Sequence, residues 1–108
     1  MKLPDRAIID DQKLTGYLLN PLHRDGKKHA ELFKRLLDVD LTKADVLRRA
    51  LLDAALNSDA RSGRSSAYGQ KFEIRFSMTG PRGTYTLLSV WMIRLAENEP
   101  RLLTAYIV

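Results

Sequence analysis

Apolar residues recur along this chain with two different periods, and the change of period predicts two layers of structure. In the first half they recur three or four residues apart, at Leu14, Tyr17 and Leu18, at Ala30, Phe33 and Leu37, and at Leu47, Ala50, Leu51 and Ala54. This spacing places each group on one face of an amphipathic helix. We therefore predict three helices, at residues 10–20, 27–37 and 42–57.

Polar residues mark the ends of these predicted helices. Asp10 or Asp11 can cap the first helix, because a carboxylate accepts hydrogen bonds from the free N–H groups of the first turn. Pro21 ends that helix, because the residue before a proline is displaced from helical dihedrals. Thr42 and Asp45 have the spacing of a capping box, which predicts the start of the third helix.

From residue 70 onwards, apolar and polar residues alternate with the period of a β-strand. The apolar set Phe72, Ile74, Phe76 and Met78 predicts a half-buried strand whose apolar side faces the helices. Residues 84–94 are apolar on both faces, as in a central strand, and residues 101–108 predict a last strand. Short turns between consecutive strands predict an antiparallel meander.

The pattern as a whole predicts one α+β domain that covers residues 1–108. About three helices, at residues 10–57, pack on a three- to four-stranded antiparallel β-meander at residues 70–108. The polar stretch at residues 58–69 predicts a loop, and the short apolar run at residues 7–9 predicts an edge strand. A chain of 108 residues is long enough to bury one hydrophobic core.

The charge balance narrows the classes of partner. The chain has 18 Lys and Arg against 13 Asp and Glu, a net charge of +5, and a sequence pI of about 9.7. A positive field attracts nucleic acid, anionic membranes and acidic proteins. A net charge of this size also suits an ordinary small soluble domain, so the argument for a partner depends on clustering of the cations.

Missing residue types exclude several classes of chemistry. The absence of cysteine excludes disulfides, thiolate metal sites and cysteine nucleophiles, and two histidines are too few for a typical zinc site. We therefore expect no metal and no cofactor. No stretch approaches the roughly 20 apolar residues of a membrane span, and the first ten residues lack the apolar core of a signal peptide. We expect a cytoplasmic protein that does not engage a membrane, although a partner or a larger secreted parent chain could deliver it across one.

One short segment, residues 20–33, concentrates the candidate chemistry. It holds both histidines, His23 and His29, together with the cations Arg24, Lys27 and Lys28. Histidine moves protons near neutral pH, cations stabilise a phosphorane, and a helix N-terminus attracts phosphate. These are the requirements of metal-free RNA cleavage, and neighbouring cations should lower the histidine pKa. The structural alternative is that His23 hydrogen-bonds the loop and the lysines form a solvated turn.

The second half supplies a second group of candidate residues. Phosphate or RNA contacts are predicted for Arg75, Arg82 and Arg101, with Arg75 expected to approach Arg94 or Thr104 across the meander. Thr104 and Tyr106 share one strand face, and their hydroxyl groups can orient a phosphate or donate a proton to it. The alternatives are ion pairs of the arginines with Glu73 and Glu97 and edge packing of Tyr106. Trp91 and Phe72 are expected to lie in the core, and the pair Arg48–Arg49 is expected to lie on a solvated helix face.

The chain resembles a bacterial domain-of-unknown-function family. The residues that carry the resemblance are Tyr17 to Pro21, His23, Gly26, Ala30, Phe33, Gly80, Gly83, Val90, Trp91, Pro100, Leu102 and Thr104 to Tyr106. The family usually has lysine where His29 stands and proline where Ile107 stands. It occurs as short stand-alone proteins and at the C-terminus of large secreted haemagglutinin-type toxins.

The resemblance implies a toxin that is paired with a small acidic antitoxin or immunity protein. The order of helices and then meander is also similar to the ribonuclease toxins related to barnase, RelE and the colicin nucleases. The leading hypothesis is thus a metal-independent ribonuclease toxin that acts on cellular RNA, with His23, His29, Thr104 and Tyr106 as catalytic candidates. The alternative is a non-catalytic protein- or RNA-binding module, which could form a homodimer through its last strand. Convergence of a histidine, an arginine and a hydroxyl on one concave face favours the enzyme.

Overall fold

The computed structural model describes residues 2–4 and 6–108, and this part of the chain forms a helical layer on one face of a four-stranded sheet. A short helix α1, Asp11–Lys13, continues as a π-helix over Leu14–Leu18. Helix α2 is Lys27–Leu37, and a 3₁₀ turn, Leu41–Lys43, leads into helix α3, Ala44–Asn57. The strands are β1 Arg61–Ser66, β2 Gly69–Gly80, β3 Gly83–Arg94 and β4 Pro100–Ile107. The predicted α+β class is confirmed.

The sheet is an antiparallel meander in the order β1-β2-β3-β4, so β3 is internal as its two apolar faces predict. Phe72 and Ile74 of β2 are buried against the helices, whereas Arg75 is exposed on the opposite face, as the alternation predicts. We call the face that carries Arg75 the open face. No helix in the described part of the chain is long and apolar enough to cross a membrane.

The core lies between the covered face of the sheet and the apolar stripes of α2 and α3. Phe33, Leu47 and Leu51 are buried there, and Trp91 is fully buried beneath them. The indole Nε1 of Trp91 donates to Ser89 Oγ (2.9 Å), and this hydroxyl donates to the carbonyl of Ile74 (3.1 Å). A buried indole N–H needs such an acceptor, so the predicted core position of Trp91 is confirmed.

The prediction of a loop at residues 58–69 is wrong, because Arg61–Ser66 form the edge strand β1. Every residue of β1 is exposed, and its sequence, RSGRSS, has no alternation of apolar and polar residues that could mark it as a strand. It pairs with β2 through backbone hydrogen bonds and through polar side chains, since Gln70 Nε2 donates to the carbonyl of Gly63 (2.8 Å) and Ser65 Oγ donates to Gln70 Oε1. Its register shifts between Ser62 and Ser65. A polar, irregular edge strand of this kind also resists pairing with other chains.

The N-terminal segment is attached to the last strand. Ile8 forms one parallel bridge with Arg101, so the predicted strand at residues 7–9 is reduced to a single pairing. Asp10 caps α1 by accepting from the N–H of Gln12 (3.0 Å), which confirms one of the two predicted caps. Arg48, expected on a solvated face, donates instead to the carbonyl of Ile9 (3.2 Å) and to the carboxylate of Asp11.

The predicted capping box at the third helix is wrong. Asp40 supplies the cap, since its carboxylate accepts from the backbone N–H of Thr42 (2.9 Å) and from the Thr42 hydroxyl. Both hydrogen bonds favour the ionised carboxylate and lower the pKa of Asp40, and the bond from the Thr42 hydroxyl has the larger effect. Capping therefore begins two residues earlier than the Thr42–Asp45 spacing suggests, and a 3₁₀ turn precedes α3.

Leu51→Ala should destabilise the protein by ~2–5 kcal/mol, because it removes buried methyl groups and leaves a cavity under α3. Leu56→Ala is the matched control on the same helix, since the Leu56 side chain is half exposed. The measurement is the free energy of unfolding in urea. Equal losses for the two variants would contradict the packing of α3 through Leu51.

Candidate functional site

Four aromatic rings form a chain that runs from the loop after the first helix to the last strand. The ring centroids of His23 and Tyr17 are 5.1 Å apart, and those of Tyr17 and His29 are 5.8 Å apart, both pairs edge-on. The last ring of this series belongs to Tyr106, and its centroid is 6.2 Å from that of His29. We call this series of rings the ring chain. It connects three predicted catalytic residues, His23, His29 and Tyr106, to Tyr17, for which the sequence predicts no catalytic role.

Close packing of the loop against Tyr17 fixes this geometry. A Cβ atom at Gly26 would lie 2.1 Å from the carbonyl oxygen of Tyr17 and 2.9 Å from its ring atom Cδ1. Only glycine permits that approach, because the contacting oxygen belongs to the backbone and cannot rotate away. Gly26 also precedes α2, so the same contact sets where the helix begins and where His29 in its first turn is held.

His23 holds the loop through its imidazole. Its Nδ1 accepts from the N–H of Asp25 (3.0 Å) and from the N–H of Gly26 (2.9 Å). Both donors are backbone groups, so Nδ1 carries no proton and the neutral ring is protonated at Nε2. His23 thus makes the loop hydrogen bonds that the structural alternative expects, and one of its two ring nitrogens is already engaged.

His29 is half-buried between two tyrosines. Burial disfavours the imidazolium and lowers the pKa of His29 below its ordinary value of 6.5. The sequence predicts a lowered pKa from neighbouring cations, and the direction agrees, but the cause is desolvation. The ring is therefore predominantly neutral near pH 7 and can accept a proton.

A hollow of about 490 Å³ lies on the open face, and the ring chain ends in it. Its lining includes Thr104 and Tyr106, the cations Arg64 and Lys71, and the carboxylate of Glu73. We call it the sheet hollow. It contains Thr104 and Tyr106, the two predicted hydroxyl residues, together with cations that the sequence did not predict as phosphate contacts. One of these cations, Arg64, lies in the segment for which the sequence predicts a loop.

A β-bulge connects the sheet hollow to the ring chain. Val90 pairs with Thr104 while Trp91 pairs with Leu102, which leaves Leu103 as the extra residue of β4. Leu103 lines the sheet hollow and also a second hollow of about 390 Å³ that contains Tyr17 and His23. The bulge thus places one side chain between the two groups of candidate residues.

Glu73 is a candidate that the sequence analysis named only as a partner for arginine. It lines the sheet hollow with Arg64 and Lys71, and it lines an adjoining hollow of about 350 Å³ with Arg61 and Arg75. Among residues 2–4 and 6–108, its carboxylate forms neither an ion pair within 4.0 Å nor a hydrogen bond. Its place on the polar side of β2, between Lys71 and Arg75, was the signal available in the sequence.

The row of residues across the sheet places Glu73 opposite a hydroxyl. Glu73 pairs with Val90, and Val90 pairs with Thr104, so both polar side chains are on the open face. Two strand spacings separate their backbones by about 10 Å. Arg75 is in the next row, with Leu88 and Tyr106. Arg94 pairs with Gly69, six residues away along β2, so the predicted approach of Arg75 to Arg94 is wrong, and its approach to Thr104 stays a prediction.

The remaining predicted phosphate contacts lie elsewhere. Arg24 is exposed in the loop, and Lys27 and Lys28 line a separate hollow on the outer side of α2. Arg82 is in the turn that follows Gly80. Gly80 lies seven residues along β2 from Glu73, a distance of about 24 Å at the usual rise of a strand. Arg101 pairs with Glu97 (Nε to Oε2, 3.3 Å), which is the ion pair that the sequence offered as its alternative role.

A family model described as Domain of unknown function (DUF6883) matches residues 2–108. The matched range includes the ring chain, the sheet hollow and both layers of the fold. No protein of curated function matches the chain. Within the described residues, no group of three or more histidine, aspartate or glutamate side chains is arranged to hold a metal ion.

The lowered pKa of His29 has a measurable consequence for stability. In the pH range around and below 6.5 the unfolded chain binds a proton that the folded chain excludes. The stability that results is complete above the unfolded pKa and is lost as the pH falls through the folded pKa. In an NMR titration His29 should change charge below 6.5, and His29→Gln should remove part of the acid destabilisation. A midpoint at or above 6.5 would contradict the burial of this ring.

Proposed function

The chain belongs to the family Domain of unknown function (DUF6883), and we propose that it is a ribonuclease toxin that cleaves cellular RNA in the cytoplasm without a metal ion. Its partner under this proposal is an acidic antitoxin or immunity protein. The site is the sheet hollow together with the ring chain behind it. The toxin role follows from the resemblance noted in the sequence, and the cleavage chemistry rests on the geometry of the hollow.

The observation that carries the proposal is the environment of Glu73. A half-buried carboxylate is surrounded by Arg61, Arg64, Lys71 and Arg75, and yet it forms no ion pair with any of them. Elsewhere in this chain neighbouring charges do form ion pairs, as Arg94 and Arg101 do with Glu97. An unpaired carboxylate remains free to take a proton, and unpaired cations remain free to take a phosphate.

These groups match the proton and charge changes of RNA transesterification. The 2′-hydroxyl oxygen attacks the adjacent phosphorus, and the bond from phosphorus to the 5′ oxygen breaks. Glu73 accepts the proton of the 2′-hydroxyl, and the hydroxyl of Tyr106 donates a proton to the departing 5′ oxygen. The products are a 2′,3′-cyclic phosphate and a free 5′-hydroxyl, and solvent returns the proton from Glu73 to Tyr106.

Arg64 and Lys71 supply the electrostatic part of the proposed mechanism. They line the same hollow as Glu73 and Tyr106, where they can contact the non-bridging oxygens of the phosphate. Fixed cations lower the barrier when negative charge develops on these oxygens, and such contacts are worth most where water is excluded. Thr104, on the opposite side of the hollow from Glu73, can donate to the same oxygens.

The ring chain positions Tyr106 under this proposal. His29 packs against the Tyr106 ring, and its neutral imidazole provides a proton acceptor beside the site. His23 holds the loop that supports Tyr17 and, through it, His29. Direct proton transfer by His23 or His29, which the sequence predicts, remains a prediction that the same assay tests.

Glu73→Gln and Tyr106→Phe should each lower the rate of RNA cleavage by about 10²–10⁴-fold, because each removes one proton-transfer group. The substrate is total bacterial RNA in the presence of EDTA, and product ends are analysed for the 2′,3′-cyclic phosphate. His23→Ala and His29→Ala are measured in parallel, with folding checked by circular dichroism.

Glu31→Gln and Tyr85→Phe are the matched controls. Glu31 is exposed on α2, and Tyr85 is on the covered face of the sheet, so neither lines the sheet hollow. Both should cleave RNA at the parental rate. Parental cleavage by Glu73→Gln would rule out the assigned base, and a metal requirement revealed by EDTA would rule out the metal-free mechanism.

A non-catalytic RNA-binding module is the second candidate. The cations Arg61, Arg64, Lys71 and Arg75 on or beside the open face favour it, because phosphate contacts alone give salt-dependent binding. This module would bind single-stranded RNA and leave it intact. Binding without cleavage by the folded parent protein would place it ahead of the enzyme.

A further inference from the structure

The outer side of α2 carries the largest hollow described above, with a volume of about 700 Å³. Its lining includes the apolar residues Leu19, Pro21 and Leu41 and the cations Lys27, Lys28 and Lys34. We call it the lysine groove. Leu19 is buried at its base, whereas Pro21 and Leu41 remain exposed. Apolar side chains bordered by cations thus meet in one concavity that the proposed cleavage chemistry does not use.

The lysines of this groove are not held in ion pairs by the part of the chain that the structure describes, although the pKa of Asp40 is lowered by the hydrogen bonds from Thr42 and also by the charge of Lys34. Among the described residues, Lys27, Lys28 and Lys34 form no ion pair within 4.0 Å. The two carboxylates in the lining are already engaged. Glu31 pairs with Arg35 at 3.9 Å, and Asp40 accepts from Thr42. The groove therefore presents positive charge that is available to a ligand.

We infer that the lysine groove docks an acidic, amphipathic segment of a partner protein. Apolar side chains of that segment cover Leu19, Pro21 and Leu41, and its carboxylates meet Lys27, Lys28 and Lys34. A helix laid in a groove recognises its target through this combination of apolar anchors and flanking charges. Leu22, which is 91 % exposed, directly follows Pro21 and extends the apolar surface beyond the groove. The inference deepens the proposed function by giving the acidic partner a docking site.

The groove is separate from the sheet hollow, and this separation defines how the partner would act. None of the lining residues of the one hollow lines the other. Helix α2 is the shared element, because Lys28 and Ala30 line the groove while the intervening His29 contacts Tyr17 and Tyr106. A partner in the groove therefore contacts the helix that carries His29 and leaves the open face accessible.

The experiment uses a fluorescent helical peptide of about 18 residues, with leucines along one face and glutamates elsewhere. A shuffled peptide of the same composition is its control. The full folded chain should bind the amphipathic peptide and bind the shuffled one at least about tenfold more weakly, because only the first aligns its anchors. Affinity should fall as salt rises, since the charge pairs are exposed and screened.

Variants of the chain locate the binding site. The double substitution Lys28→Glu and Lys34→Glu, and separately Leu41→Ser, should each weaken binding at least about tenfold. Arg49→Glu is the matched control, because Arg49 is an exposed cation on α3 outside the groove. Amide NMR signals of residues 27–34 and 41–42 should shift on peptide addition.

Three results would overturn the inference. They are equal binding of both peptides, equal weakening by Arg49→Glu, and NMR shifts at Lys71, Glu73 and Tyr106 instead of at the groove. Displacement of the peptide by single-stranded RNA would assign the lysines to nucleic acid. The assay needs no RNA cleavage, so Glu73→Gln should bind the peptide as the parent does. Failure of the cleavage assay would therefore refute the proposed chemistry alone, and failure of the peptide-binding assay would refute the docking site alone.

Discussion

The contact between Gly26 and the backbone of Tyr17 is the constraint on which the candidate site depends. Any side chain at Gly26 would overlap the Tyr17 carbonyl, and the loop would have to move away from the first helix. His23 stabilises the same loop by accepting two backbone N–H groups, one of them from Gly26. Since α2 begins directly after Gly26, these contacts also hold His29 between Tyr17 and Tyr106.

One-sided covering of the sheet gives the site its chemical character. The helices bury the face that carries Phe72, Ile74 and Trp91, and they leave the opposite face of β2 to Glu73 and its neighbouring cations. Because β1 is polar and exposed throughout, it adds Arg61 and Arg64 beside this face without covering it. The fold thereby supplies one buried apolar layer and an opposite face on which Glu73 and the cations beside it form no ion pair with the described residues.

The sequence predicted those features that depend on a clear apolar period. The buried side of β2 and the stripe of α2 agree with the alternation around Phe72 and with the spacing of Phe33. It failed where the backbone or a distant residue decides the structure. Strand β1 has no apolar pattern to reveal it, and Arg48 meets Ile9 only after α3 has packed. The position of Glu73 in two adjoining hollows likewise depends on the register of four strands, which no local pattern fixes.

The claim that RNA is bound and cleaved in the sheet hollow has a direct test. An RNA oligonucleotide with 2′-deoxy substitution cannot undergo the internal attack, so it reports binding without turnover. Added to the isotopically labelled protein, it should shift the NMR signals of Lys71, Glu73, Thr104 and Tyr106, with an affinity that decreases as salt rises. Shifts confined to α2 and its lysines, with the signals of the sheet hollow unchanged, would contradict the assignment of the open face as the RNA site.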